Sequence, residues 1–185
     1  RLVWPEVPIL IINDSGVGIT RGHEPDWIDE RMREWNVDTL IPASCADCTS
    51  DGHLTELLAW QLEQDVNLKI AAFSYQNDNV IASLFLQVTF DQFTAWLKSE
   101  LGDLHQRFPE QFAAFVPRGN KHTMLYSENE MAVSDEVFPG AGRAGDLIRL
   151  GGYVETQIGG QSVGQWMQAM LDGSSAWTHR FEDAP

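Results

Sequence analysis

Residues 68–75, LKIAAFSY, are the stretch that decides the predicted fold of this chain. The stretch is a short, continuous apolar run followed by turn residues, which is typical of a strand buried in a parallel sheet. Two runs of the same kind, residues 8–13 (PILIIN) and residues 112–116 (FAAFV), flank it in the sequence. Because helical segments separate the three runs, the sequence predicts an α/β fold with a mostly parallel sheet and helices on both faces.

The helical segments are recognised by their apolar spacing and by the signals at their ends. Pro25 begins the first, and Thr89 forms a capping box with Gln92 ahead of a longer helix whose apolar stripe stops before Pro109. Besides the longer helix after Thr89, helices are predicted over residues 25–34, 54–64, 80–86 and 163–171. Residues 127–157 are rich in glycine and acidic side chains, and they predict an excursion over the surface.

The composition limits the classes of protein to which the chain can belong. Its 185 residues are 43% hydrophobic, which is typical of one domain with a real core and argues against disorder. The 12 basic and 27 acidic residues give a net charge of −15, which repels nucleic acid and anionic membranes. No apolar run is long enough to span a bilayer.

Two chemically matched side chains follow neighbouring predicted strands. Asp78 comes just after residues 68–75, and His122 comes just after residues 112–116. Ligands of open α/β sheets bind at the carboxyl ends of the strands, which is where both residues are placed. An acid that orients a histidine base is the pair on which serine ester hydrolysis depends. The sequence therefore predicts that Asp78 and His122 are catalytic; the alternative is a turn aspartate and a surface histidine.

The nucleophile of that chemistry is expected outside this chain. In an α/β-hydrolase the order is serine, acid, histidine, and no nucleophile elbow precedes Asp78. Ser162 lies in a G-x-S-x-G match, GQSVG, but it follows both candidate partners and has no convincing strand before it. Ser162 is therefore interpreted as the N-cap of the last helix. A whole α/β-hydrolase needs more chain, so residues 1–185 are expected to form a single partial domain, the C-terminal part of such a fold. The N-terminal half, which would carry the nucleophile, is an expected partner of this one. A partial domain is expected to expose an apolar sheet edge where the earlier strands belong, or to have that edge covered by a partner chain.

Asp14, Ser15 and Gly16 end the first predicted strand at the same edge of the sheet as the acid and the base. They are predicted to bind substrate as a pocket wall beside the acyl group, although a strand-ending turn is the simpler alternative. A loop with His23 and two acids is interpreted as a solvated turn rather than a metal site, and His53 and His105 as structural. Neither a metal nor a cofactor is expected.

Cys45 and Cys48 are the two cysteines, and their spacing leaves three interpretations open. They could form a tight loop disulfide, remain as free thiols, or take part in metal or redox chemistry. A disulfide would suit an exported protein, so a secreted or periplasmic location in a bacterium is the expectation.

These features together resemble the C-terminal half of the pectin acetylesterase and Notum-type carboxylesterases, with a closer likeness to bacterial pectin acetylesterase-like members. The likeness covers roughly residues 8–172. It rests on the DSG sequence at Asp14, the helix ending in Trp35, the PASC segment at residues 42–45, Asp78, and the Lys121-His122-Thr123 sequence. The resemblance implies a Ser-Asp-His triad in which Asp78 is the acid and His122 the base. It also implies an ester substrate, either a small molecule or an acylated polysaccharide.

Two other functions remain open on the sequence alone. A metal-dependent hydrolase would use Asp14 and Asp78, at adjacent strand ends, as metal ligands. A non-catalytic binding module of flavodoxin-like shape would need no serine at all.

Overall fold

A four-stranded, all-parallel sheet organises the chain. The computed structural model describes residues 7–132 and 149–183. The sheet has the order β1 (Ile9–Asp14), β2 (Leu68–Phe73), β3 (Phe112–Val116) and β8 (Arg180–Phe181). The first three strands are those predicted from the apolar runs, and β2 pairs with both β1 and β3. The two-residue strand β8 carries no signal in the sequence and was not predicted.

Four α-helices and two small antiparallel pairs complete the described structure. The helices are α1 (Pro25–Glu34), α2 (Thr55–Gln64), α3 (Phe90–Arg107) and α4 (Val163–Leu171), with a short 3₁₀-helix at Asp38–Leu40. The antiparallel pairs are β4 (Glu130–Ala132) with β5 (Arg149–Gly151), and β6 (Gln157–Ile158) with β7 (Gln161–Ser162). Residues 133–148, in the middle of the predicted surface excursion, lie outside the described residues.

Buried side chains cover both faces of the sheet, so helices flank it on two sides as predicted. One core joins the sheet to α2 and α3, and the predicted stripe of α3 is buried in it at Phe93, Leu97, Leu101 and Leu104. The other core joins the opposite face to α4, where Phe73 and Phe115 pack around the fully buried Trp166. Successive side chains of a strand point to opposite faces, so the side chains of β2 and β3 are shared between the two cores.

The first strand is parallel, but the prediction that it is buried is wrong. Five apolar side chains on and beside β1 are between 36% and 51% exposed: Val7, Ile9, Leu10, Ile11 and Ile12. Within the described residues β1 pairs only with β2, so it forms one edge of the sheet. A continuous apolar run indicates a strand made to be covered on both faces, but it does not indicate what covers it.

A π-helix, Asn79–Leu86, takes the place of the short helix predicted over residues 80–86. It begins directly after Asp78 and leads to Thr89, whose predicted capping box starts α3. In the described part of the chain no single helix is long and apolar enough to cross a membrane. The π-helix and α3 meet the length and composition criteria only as a pair, and the chain bends by 113° between them.

His179 makes the stability of the fold depend on pH. Its ring stacks on His105 at 5.2 Å between centroids, and its Nδ1 accepts the N–H of Ala114 at 3.4 Å. Burial, and secondarily the charge of His105, lowers the pKa of His179 from 6.5 to about 4. The unfolded chain therefore binds this proton first as the pH falls. The contribution of His179 to stability is complete above about pH 6.5 and is lost between pH 6.5 and 4.

We expect wild type to lose about 3 kcal/mol of unfolding free energy to the protonation of His179 between pH 7 and pH 4. His179→Gln should lose correspondingly less over the same interval, because glutamine does not titrate. Urea unfolding of both proteins at several pH values measures the difference. Parallel pH profiles for the two proteins would contradict this role of His179.

Candidate active site

The structure brings Asp78 and His122 into direct contact. Asp78 follows β2 and His122 follows β3, so the adjacent strands deliver them to the same edge of the sheet. His122 Nδ1 lies 2.9 Å from Asp78 Oδ2. The Asp78 side chain is fully buried, and its Oδ1 accepts the backbone N–H groups of Val80 and Ile81, both at 3.0 Å. Both carboxylate oxygens are therefore engaged, and the π-helix fixes the acid in place.

This contact determines the chemistry that His122 can perform. An ionised carboxylate only accepts hydrogen bonds, so the proton of a neutral His122 ring lies on Nδ1. Nε2 is then free of a proton, and no hydrogen bond to it is formed by residues 7–132 or 149–183. The His122 side chain is 23% exposed, whereas that of Asp78 is not exposed at all. The pair is thus a buried acid that orients a solvent-accessible base.

The backbone around His122 is held by groups that the sequence did not reveal. The N–H of His122 donates to the carbonyl oxygen of Arg149 at 2.7 Å, and the N–H of Gly151 donates to the carbonyl oxygen of Thr123 at 2.8 Å. Both partners belong to β5, which is short and follows a Gly-rich segment. The only sequence signal for β5 was the predicted excursion, which does not identify a contact.

Asp14, Ser15 and Gly16 lie at this edge but have different surroundings. The Asp14 carboxylate accepts the N–H groups of Met124 at 2.9 Å and Leu125 at 2.8 Å. Ser15 Oγ accepts the N–H of Thr123 at 2.9 Å. Ser15 and Gly16 also line a half-open cavity, whereas Asp14 is not among its lining residues.

That cavity is small and mainly apolar. Its volume is about 160 Å³, and its walls come from the loop after β1, the start of α2, the π-helix and α3. The lining residues are Ser15, Gly16, Val17, Gly18, Ile19, Thr20, Leu54, Ile81 and Phe93. Two of the lining residues also bond the segments of the acid and the histidine. The N–H of Ile81 donates to Asp78 Oδ1, and Ser15 Oγ accepts the N–H of Thr123, the residue after His122. The cavity can therefore hold a small apolar group, but neither Asp78 nor His122 is among the residues that line it.

Ser162 caps α4, as the interpretation of the G-x-S-x-G match predicts. Its Oγ accepts the N–H of Gln165 at 3.2 Å, and the Gln165 side chain accepts the N–H of Ser162 at 3.0 Å.

We expect Ser162→Ala to lower the unfolding free energy by about 1 kcal/mol, because one N-terminal N–H of α4 loses its acceptor. Urea denaturation of both proteins measures the difference, and a Ser162→Ala variant as stable as wild type would contradict the capping role of Ser162.

The other histidines and the two cysteines considered above make contacts that stabilise the fold. His53 Nδ1 accepts the N–H of Thr20 at 3.0 Å, and the His105 ring bonds the carbonyl oxygen of Phe112 at 2.8 Å. Burial lowers the pKa of His53. Cys45 and Cys48 are joined in a disulfide.

No group of three His, Cys, Asp or Glu side chains in the described ranges could hold a metal ion. This holds for the loop with His23 as well as for the strand ends. Asp14 and Asp78, the aspartates of the metal alternative, direct their carboxylates at N–H donors. N–H donors compete with a cation for the same oxygen lone pairs, so this arrangement does not favour metal binding.

Comparison of the chain with known protein families, curated proteins and solved structures finds no match.

Proposed function

We propose that this chain carries the acid and base of a serine ester hydrolase, a carboxylesterase or O-deacetylase of the α/β-hydrolase type. The observation that supports the proposal is the 2.9 Å contact between His122 Nδ1 and the buried carboxylate of Asp78. The two residues come from the ends of adjacent parallel strands in the order acid, then histidine, which is the order of that fold. The resemblance to pectin acetylesterase and Notum-type enzymes is consistent with the same roles.

The proposed reaction uses each residue in one role. A serine Oγ attacks the ester carbonyl carbon while His122 Nε2 takes the serine proton. The imidazolium then gives that proton to the departing alcohol oxygen as the C–O bond breaks, leaving an acyl-enzyme. Water attacks the acyl-enzyme by the same proton route and regenerates the serine. Asp78 holds the tautomer of His122 and stabilises the imidazolium.

We propose that the serine lies on a strand that pairs with the open edge of β1. Chain order in an α/β-hydrolase places the nucleophile before the acid. β1 is the edge next to β2, the strand that carries Asp78, and its apolar side chains are exposed. A parallel strand added there would place its own carboxyl end beside Asp14, near His122. Such an addition would cover the edge that β1 exposes.

The small cavity that Ser15 and Gly16 line favours a short acyl group in the proposed reaction. The cavity of about 160 Å³ beside Ser15 is large enough for an acetyl or similarly small group. The net charge of −15 disfavours a polyanionic alcohol part. An acetylated, weakly charged carbohydrate or a small acetate ester is therefore the proposed substrate class, and the disulfide is consistent with the proposed exported location.

A fluorophosphonate probe tests the proposal, because it reacts covalently with an activated serine. The full natural polypeptide and the 185-residue chain are treated side by side, and the labelled peptide is mapped by mass spectrometry. We expect label on a serine outside residues 1–185 and none on this chain. Label on Ser15 or Ser162 would overturn the assignment of the nucleophile. Absence of label in both samples would refute the serine mechanism, and hydrolysis that EDTA abolishes would then favour the metal alternative.

A further inference from the structure

We propose that Asp14 and Ser15 are positioning residues that hold the loop of His122 against the end of β1, so that the base stays in contact with Asp78. The inference rests on the proposed function, because it assigns a role in the placement of the base. For Asp14 it differs from the sequence-based expectation of a pocket wall, because Asp14 is not among the residues that line the cavity assigned to the acyl group.

Three consecutive N–H groups after His122 are bound by two side chains from the end of β1. Thr123 donates to Ser15 Oγ at 2.9 Å, Met124 to Asp14 Oδ1 at 2.9 Å and Leu125 to Asp14 Oδ2 at 2.8 Å. These bonds span more than 105 positions of the sequence, so they are long-range contacts rather than a local turn. A carboxylate that accepts two backbone N–H groups forms charge-assisted bonds, which are stronger than neutral ones.

The backbone at both ends of this contact adopts a conformation that side chains disfavour. Ser15 has φ of 67° and Thr123 has φ of 56°, both in the left-handed region. A non-glycine residue is strained there and persists only where its surroundings compensate. The bond between Ser15 Oγ and the Thr123 N–H joins the two strained residues to each other. The N–H of Ser15 in turn donates to the carbonyl oxygen of Phe73, the last residue of β2.

The hydrogen bonds of Asp14 and Ser15 thus connect the loop of His122 to the end of β2, the strand that Asp78 follows. Asp78 follows β2, and the N–H of His122 is held by Arg149 on the other side of the loop. Asp14 and Ser15 contact the loop but not the His122 ring, so they act through its backbone. Removing Asp14 leaves two N–H groups without an acceptor and frees the loop to turn the ring away from Asp78.

The first measurement needs no activity. The Nδ1 proton of His122 is observed by ¹⁵N-edited NMR in the full natural protein and in its variants Asp14→Ala, Asp14→Asn and Ser15→Ala. We expect a protected Nδ1–H signal in wild type and its loss to solvent exchange in Asp14→Ala. Asp14→Asn should show partial protection, because its amide oxygen still accepts one N–H. The matched control is Asp65→Ala, which removes another carboxylate that accepts a backbone N–H, from Asn67, near the opposite end of β2. This control should keep the signal.

The second measurement is hydrolysis by the full natural protein. We expect Asp14→Ala to lower kcat 10- to 100-fold with KM within twofold, and Asp14→Asn to recover part of the loss. Unchanged Nδ1–H protection and unchanged kcat in Asp14→Ala would overturn the inference. If Asp14→Ala does not fold, as judged by circular dichroism, Asp14→Asn decides. A wild-type protein without esterase activity would refute the proposed function, while the NMR result would still judge the placement of His122.

Discussion

Replacing His122 with alanine in the full natural protein is expected to lower kcat for ester hydrolysis by about 10⁶-fold, while KM changes little. The imidazole is the group that takes the serine proton in the proposed mechanism, and alanine cannot replace it. The protein should remain folded, because the His122 side chain is partly exposed and packs in neither hydrophobic core. Steady-state kinetics with a small acetate ester measure the loss, and circular dichroism confirms the fold.

Asp78→Asn provides the matched test of the acid. The asparagine can keep the N–H bonds of Val80 and Ile81 through its oxygen, but its amide nitrogen then faces His122 Nδ1 as a donor. The ring would adopt the other tautomer, with the proton on Nε2, and kcat should again fall by up to about 10⁴-fold. Asp91→Asn is the control, because Asp91 is an exposed acid in the first turn of α3. Activity within tenfold of wild type in Asp78→Asn would refute the acid role of Asp78.

Replacing Trp166 with alanine is expected to cost about 3–5 kcal/mol of unfolding free energy. Trp166 is fully buried on α4, and its ring contacts those of Phe73 at 5.3 Å, Phe115 at 5.6 Å and Trp177 at 6.0 Å between centroids. Its Nε1 also donates to the carbonyl oxygen of Thr178 at 2.7 Å. Alanine would remove these contacts and leave a cavity between α4 and the sheet.

Urea unfolding measures the effect, with two companion variants. Trp166→Phe keeps most of the apolar volume and loses the hydrogen bond, so its cost should be about half as large. Leu171→Ala, at an exposed position of the same helix, should stay within about 0.5 kcal/mol of wild type. A Trp166→Ala cost no greater than that of Leu171→Ala would contradict the packing of this core.

Much of the fold could be predicted from the sequence because its signals are local. Continuous apolar runs indicate parallel strands, and the capping boxes of Thr89 and Ser162 indicate where α3 and α4 begin. The apolar run of β1 by itself indicates a buried strand, and that prediction is wrong. The expectation of a partial domain instead predicts an exposed apolar edge, and within the described residues β1 forms such an edge. The strand β8 is two residues long and is defined by pairing with β3 rather than by its own sequence.

The candidate site could also be predicted only in part. Asp78 and His122 were placed near each other because each follows a strand, and parallel strands end at one edge. The contacts of Asp14 with Met124 and Leu125 could not be predicted, because backbone N–H groups are present at every position and carry no sequence signal. The DSG sequence is typical of a strand-ending turn, and only the structure shows which donors its side chains meet.

The open edge of β1 also determines how the isolated chain behaves at high concentration. An uncovered edge with exposed apolar side chains is a template for strand pairing between copies, and such pairing leads to aggregates. The net charge of −15 opposes this by mutual repulsion, which acts over about 30 Å at 0.01 M salt but only about 8 Å at physiological ionic strength. The repulsion that keeps copies of the chain apart is therefore strong in dilute buffer and weak at physiological ionic strength. Salt added during purification is expected to promote aggregation of the chain through this edge.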